Sequence, residues 1–560
     1  MKINEKLLKW LLLLLVVISF CVNYARVFDR KMDTNGDNYH YYLLAYSLAS
    51  GHGYYSTIGP KPTPHTHFPP GYPAFMSLFF MPFKANVVSL KILNGILLLI
   101  SILLLFRIVR KTTGRFGLGY AFIACMLCTL HAILLRWATI LMSEMLYTAI
   151  SLGIIAICVD LDLEKVRQMN AWHTLRLVGL CLLVAAAYFV RTMGISIILA
   201  ATLAFLVLAV KAFTHRKKGN VVKWWLPALA AVLVMFSFSV AMVSWNQRNR
   251  KVVPGWKSDY LVSFAIPAAQ DLPDGKTAFW LDRIGKGLSA FVPYYIPKSV
   301  LNPHKATMPK RDLNPKDVSW IAGILVIALM VIGILSMKGL QWLLMLYFLI
   351  TFSVLCLYPP QFADTRYFVP LIPLMLAATV VGLGTVIDWI FKKIQHKEAR
   401  WLPPVLVFAL ACIPLPAYWH CLKAHHWVAS FESYEDMPEM SVFQHYLDAC
   451  QLCVDFPAKR LAAVLKPEIY HIYSYFHHAV PLPRSGSPEE VIKYLEDNKV
   501  DLLIMDAWYP IAYRVLIPTV SAYPERFAVL WQEGDPGRET ILLGFLVPPG
   551  WQPEPQSTEE

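Results

Sequence analysis

Charge is what this chain is short of. Only 16% of its 560 residues are Asp, Glu, Lys or Arg, whereas a soluble globular chain carries about a quarter. Hydrophobic residues make up 57%, and mean hydropathy is +0.48. Runs such as Leu11 to Val22, Ile92 to Phe106 and Gly179 to Val190 contain no charge at all. A bilayer core about 30 Å thick is crossed by a helix of about 20 predominantly apolar residues. No soluble core absorbs so many uninterrupted apolar runs. Other shortages narrow the class further. Cys450-x-x-Cys453 has no second pair with which to build a zinc site and reads as two thiols one turn apart, compatible with a disulfide outside the cytoplasm. Seven of the ten cysteines (21, 125, 128, 158, 181, 356 and 412) lie in apolar runs as small hydrophobes. No small-x-small cleavage site follows the first apolar stretch, since Val22-Asn23-Tyr24-Ala25-Arg26 is bulky and polar. The segment behind Lys2, Lys6 and Lys9 therefore reads as an uncleaved span with its N-terminus inside. A stacking platform with interleaved basic residues is also lacking. The formal charge of +14 thus implies no nucleic-acid partner, because much of it falls in short clusters between apolar runs, as the positive-inside rule expects.

What is present reads as an α-helical polytopic membrane protein of about eleven spans, plausibly 11–13, ending in a small C-terminal α/β domain. The expected spans are 10–25, 85–106, 117–135, 139–159, 177–190, 193–210, 224–244, 319–337, 340–357, 368–391 and 402–419. Basic clusters mark the cytoplasmic connections: Arg107, Arg110, Lys111 and Arg115; Lys211, Arg216, Lys217, Lys218 and Lys223; Lys392, Lys393, Lys397 and Arg400. Short outer turns hold one arginine each, Arg136, Arg191 and Arg366. Residues 1–419 form the transmembrane domain, with outer loops 26–84 and 245–318. The second loop carries Trp256, Tyr260, Trp280, Tyr294 and Tyr295, aromatics suited to the headgroup layer. Residues 420–547 form the extracytoplasmic α/β domain. There Ser487-Pro-Glu-Glu opens a helix to about Asn498, and Val500–Met505 and Thr540–Val547 are strands. No nucleophile–base pair or phosphate loop appears in it. Residues 548–560 read as disordered.

The first outer loop holds the densest polar chemistry: Asp33-Thr-Asn-Gly-Asp37-Asn38-Tyr39-His40-Tyr41, Gly51-His-Gly-Tyr-Tyr55 and His65-Thr-His67-Phe68-Pro69-Pro70-Gly71-Tyr72-Pro73. Asp33 and Asp37 follow the first span closely, so they meet the membrane surface, where a lipid-borne headgroup would lie. A spacing of four places both on one helix face, although Gly36 argues for a turn. Glu144 lies in an apolar run, where an ionisable group is costly and usually purposeful.

These motifs resemble the polytopic C-type glycosyltransferases, the superfamily of bacterial aminoarabinose transferases and protein O-mannosyltransferases. The resemblance rests on Gly36-Asp37 before a tyrosine-bearing helix, Gly51-x-Gly53-Tyr54, and Pro69-Pro70-Gly71-Tyr72-Pro73. It extends to Ser143-Glu144, Arg191-Thr-Met-Gly194 and Arg366-Tyr367-Phe-Val-Pro370-Leu-Ile-Pro373. It covers most of the chain, and the tail resembles those of bacterial members. It implies inverting transfer of a single sugar from a polyprenyl-phosphate donor to a lipid, glycan or protein acceptor on the outer face of the inner (plasma) membrane. Asp37 then matches the aspartate that acts as general base. Tyr39, Tyr41, His67, Tyr72, Glu144, Arg191, Arg366 and Tyr367 are the candidate substrate-binding residues, and the arginines face the leaving phosphate. No cofactor is certain; a divalent metal is compatible, with Glu144 and His67 as candidate ligands. The chain departs from the pattern at His67, where aminoarabinose-transferase relatives have glutamate, at Phe68, where they have lysine, and at Asn38, where many bacterial members have glutamate. The alternative function is a transporter or flippase for a lipid-linked glycan. Transporters place their polar groups at mid-membrane in broken helices, whereas here they gather in outer loops.

Overall fold

The computed structural model describes residues 5–545 apart from 35, 84–85, 115, 162–169, 216–224, 259–274, 302–318, 360–364, 394–401, 438–439 and 457–459. The expected disordered tail 548–560, Tyr260 and basic residues such as Arg115 and Lys217 lie outside the described residues. The chain forms two compact units: residues 1–28, 66–72 and 86–427, and residues 29–65, 73–85 and 428–560. Most of residues 26–84 thus cluster with the tail, although the sequence groups them with the spans.

The first unit is helical. Seven of its helices are long and apolar enough to cross a membrane: Glu5–Val27, Val87–Thr112, Glu144–Leu161, Ala171–Val190, Gly194–Thr214, Trp225–Val252 and Ile372–Lys393. The number rises to nine if two bent pairs each count as one span. Gly117–Leu130 and Ala132–Ala138 meet at 60°, and Leu402–Ala411 and Leu415–Ser430 at 43°. The two remaining expected positions hold the shorter apolar helices Trp320–Ser336 and Gln341–Leu357. Local signals set the ends. Asn86 and Ser89 form a reciprocal capping box at the start of Val87–Thr112, and at its other end Arg107 and Lys111 each reach Asp160 at 2.5 Å.

Packing in the first unit relies on small residues, as expected where lipid tails compete with apolar side chains. A Cβ at Gly333 would strike the Ala378 carbonyl, and one at Gly382 the Leu329 carbonyl. The Trp320–Ser336 and Ile372–Lys393 helices therefore touch backbone to backbone. Tyr294 and Tyr295 differ from expectation. Each is 1% exposed on a π-helical turn, Phe291–Tyr295, so they serve the interior and not the headgroup layer.

In the second unit, strands β1 (Tyr55–Ser56) and β2 (Thr63–Pro64) form a short antiparallel pair. Five more strands make a mixed sheet in the order β4-β3-β5-β7-β6: β3 (Ala462–Val464), β4 (Ala479–Pro481), β5 (Leu502–Met505), β6 (Phe527–Glu533) and β7 (Thr540–Phe545). The first three are parallel, and β7 runs antiparallel to both β5 and β6. Every residue of β3 and β5 is buried, as parallel strands require. The helix expected from Ser487 is Pro488–Asp497, opened by a capping box between Ser487 and Glu490.

Candidate functional site

In the first unit, three residues far apart in sequence converge on one oxygen atom. Glu144 opens the Glu144–Leu161 helix and has no exposed surface. Arg191 caps the C-terminus of Ala171–Val190, its N–H donating to the Ala187 carbonyl. Arg366 sits on a 3-10 turn, Thr365–Phe368, whose Phe368 is fully buried against Phe291 and Phe352. Arg191 Nη1 donates to Glu144 Oε1 at 2.5 Å, and Arg366 Nε donates to the same oxygen at 2.7 Å. Arg191 Nη1 also reaches Ser143 Oγ at 3.2 Å, and the Arg366 guanidinium lies 6.0 Å from the centre of the Trp137 ring. These three side chains hold one negative and two positive charges. Burying a charge is tolerable only when it is paired and hydrogen-bonded, and here the second oxygen, Oε2, is buried without a hydrogen-bond partner among the described residues. The shared carboxylate holds the two guanidiniums in fixed positions.

The other first-unit candidates take different places. Tyr72 is fully buried and donates to Asn94 Oδ1 at 3.2 Å, while Asn94 Nδ2 donates to the Ile140 carbonyl at 2.7 Å. Tyr367 packs edge-on to Tyr358. His67 is exposed, its ring against Phe68. A cation would fit Glu144 poorly, because its Oε1 already lies between two guanidiniums. No group of three or more His, Cys, Asp or Glu ligands occurs among the described residues.

Asp37 belongs to the second unit, in the first turn of the Gly36–Ala49 helix. Gly36 opens this helix instead of making a turn, and Asp33 lies before it, so the two carboxylates do not share a helix face. Asp37 is half-buried, and the tyrosines after it are more so. Tyr39 has no exposed surface, Tyr41 is 4% exposed, and the Tyr39 ring lies 6.2 Å from that of Tyr473. Burial pushes the Tyr39 hydroxyl well above its ordinary pKa. These rings hold the helix down.

Sequence reasoning missed several residues. Lys91 is 1% exposed within the Val87–Thr112 span, one turn before Asn94. An ionisable group inside an apolar run was the available signal. Glu468, which meets the Asp37 helix, carried no signal of its own.

No family profile and no curated protein matches the chain. Solved structures do, among them oligosaccharyltransferase and ArnT structures. The chain has their polytopic fold. One such structure is the oligosaccharyltransferase AglB of Archaeoglobus fulgidus in complex with an inhibitory peptide and a dolichol-phosphate, 10% identical, matched over 95% of this chain and 74% of that one with a TM-score of 0.55. The Archaeoglobus fulgidus oligosaccharyltransferase complexed with zinc and sulfate matches 94% of this chain and 72% of its own, at 12% identity and a TM-score of 0.53. ArnT from Cupriavidus metallidurans, bound to undecaprenyl phosphate, is 12% identical and matches 95% of this chain and 97% of its own, with a TM-score of 0.54.

Proposed function

We propose that the protein is a glycosyltransferase that moves a single sugar from a polyprenyl-phosphate donor to an acceptor hydroxyl on the outer face of the membrane, with inversion. The observation that carries this reading is the convergence of Arg191 and Arg366 on Glu144 Oε1. A phosphate leaving a sugar develops charge that preorganised donors stabilise, and a guanidinium grips phosphate oxygens with a planar fork that lysine lacks. Neighbours of the same fold were solved with dolichol-phosphate and with undecaprenyl phosphate, which supports a polyprenyl phosphate as the lipid. The acceptor hydroxyl belongs to a lipid, a glycan or a protein.

In this mechanism Asp37 accepts the proton of the acceptor hydroxyl as its oxygen bonds to the anomeric carbon. The bond from that carbon to the phosphate oxygen breaks on the opposite face, which inverts the centre. The electron pair leaves with the polyprenyl phosphate, whose charge Arg191 and Arg366 receive. Proton removal by a placed carboxylate contributes about 10²–10⁴-fold. The test uses purified protein with a polyprenyl-phosphate sugar, following product by mass spectrometry. Asp37→Asn should lose at least about a hundredfold in turnover, with near-normal donor binding. Arg366→Lys should weaken donor affinity or slow turnover at unchanged protein level. An Asp37→Asn enzyme retaining more than about a tenth of its turnover, a barrier change under about 1.4 kcal/mol, places the base elsewhere.

A further inference from the structure

The Gly36–Ala49 helix packs against the short Pro467–Tyr473 helix within the same compact unit. Glu468 stands in the first turn of the latter, its side chain only 7% exposed. Its two carboxylate oxygens face different groups. Oε2 lies 3.7 Å from His40 Nε2, on the Asp37 helix, and Oε1 lies 3.9 Å from Lys466 Nζ. Oε1 also fills the space that a side chain at Gly36 would need. A Cβ built there strikes Glu468 Oε1 and comes within 3.1 Å of Lys466 Nζ. The residue next to Asp37 is thus a notch, and a buried carboxylate from the tail occupies it.

Other contacts fasten the same region. Tyr39 meets Tyr473, Tyr46 stacks on Phe476 with ring centres 5.2 Å apart, and Ala479 N–H donates to the Ile58 carbonyl at 2.9 Å. These hold the body of the helix and the loop behind it. The Glu468 contact falls at the first turn, where the reactive carboxylate is.

We propose that Glu468 is the positioning residue for Asp37: keyed into the Gly36 notch and facing His40, it fixes the first helical turn and so the direction from which Asp37 meets the acceptor hydroxyl. The inference rests on reading Asp37 as the base. Its physical basis is the steepness of proton transfer with geometry, since a misplacement of about 1 Å costs about a hundredfold.

A double-mutant cycle on the full-length enzyme tests it, with kcat, donor KM and thermal midpoint measured for each variant. Glu468→Ala should lower kcat about tenfold or more and leave donor KM unchanged. Glu468→Gln, which still fills the notch, should stay within about threefold of wild type. Gly36→Ala removes no contact and ordinarily stabilises a helix. Here its Cβ displaces the carboxylate at the movable end of the Glu468 side chain, and kcat should fall about tenfold. In the Glu468→Ala background the same Gly36→Ala change should cost nothing more in kcat and should raise the midpoint, the clash having gone. Losses that multiply in the double variant, or a wild-type kcat in Glu468→Ala while Asp37→Asn is inactive, overturn the positioning role and leave the base assignment standing. An active Asp37→Asn overturns the base assignment, whatever the cycle gives. If both single variants only lower the midpoint, with kcat per folded molecule unchanged, Glu468 is a packing residue and the proposal fails.

Discussion

Replacing Glu144 by glutamine keeps an oxygen between Arg191 and Arg366 but removes the charge they share. The arginine nitrogens lie 2.5 and 2.7 Å from that oxygen. Two bare positive charges about 5 Å apart repel by about 3 kcal/mol at an effective dielectric of about 20. Removing one partner from a buried charge cluster costs about 3–5 kcal/mol. The Arg191 and Arg366 side chains keep 11% and 20% of their surface exposed, so water relieves part of the repulsion. The lower end, about 3 kcal/mol, is the expected loss. Glu144→Gln combined with Arg366→Gln removes the repulsion between the two guanidiniums and should recover about 2 kcal/mol of it. Thermal midpoints in detergent for wild type, both single variants and the double variant provide the cycle. On the proposed reading, a lipid phosphate bound at the arginines would supply the missing negative charge. Undecaprenyl phosphate at about 100 times its Kd, a stabilisation of about 2.7 kcal/mol, should therefore raise the Glu144→Gln midpoint more than that of wild type. Single-variant effects that add to within about 0.5 kcal/mol would refute the coupled triad. A midpoint indifferent to the lipid would remove the phosphate seat.

Two further outcomes follow from other parts of the molecule. Burial pushes the Asp506 carboxyl up to about 7 from its ordinary 3.8. Its ionisation therefore opposes folding, and stability present below about pH 4 is lost as pH rises to about 7, by up to about 4 kcal/mol. Asp506→Asn should match wild type in thermal midpoint near pH 4 and exceed it above pH 7; a gap that does not widen with pH contradicts this. Gly333→Leu drives a side chain into the backbone of the neighbouring helix and should abolish folded yield in membranes, whereas Gly285→Ala, with nothing within 4 Å, should be neutral or stabilising by under about 1 kcal/mol. Equal yields of the two would argue against backbone contact at Gly333.

The spans were legible because the bilayer imposes one simple demand, apolar length, and charge marks its edges. The 60° break at His131 was not; the partner of that buried ring, the Ser299 carbonyl 2.7 Å from Nε2, lies far away in the sequence. In the tail, β5 and β7 read as apolar runs. The three-residue β3 is too short to stand out, and β6, with its alternation broken at Val529–Trp531, does not either. At the candidate site, Glu144, Arg191 and Arg366 stood out singly as polar groups in apolar surroundings. That they meet on one oxygen is a tertiary fact no local pattern carries. Glu468 is an ordinary acid on a short helix, and only the notch at Gly36 gives it meaning.

The second compact unit is assembled from stretches at opposite ends of the chain, 29–65 and 73–85 with 428–560. Synthesis proceeds at about 5–20 residues per second, so the early stretch waits about 20–70 s before its partners exist. Until then Tyr39, Tyr41 and their neighbours have no tail to cover them. The helix bearing Asp37 takes its final form only once the last quarter of the protein is being made, so an unfinished chain lacks the packing that holds this helix.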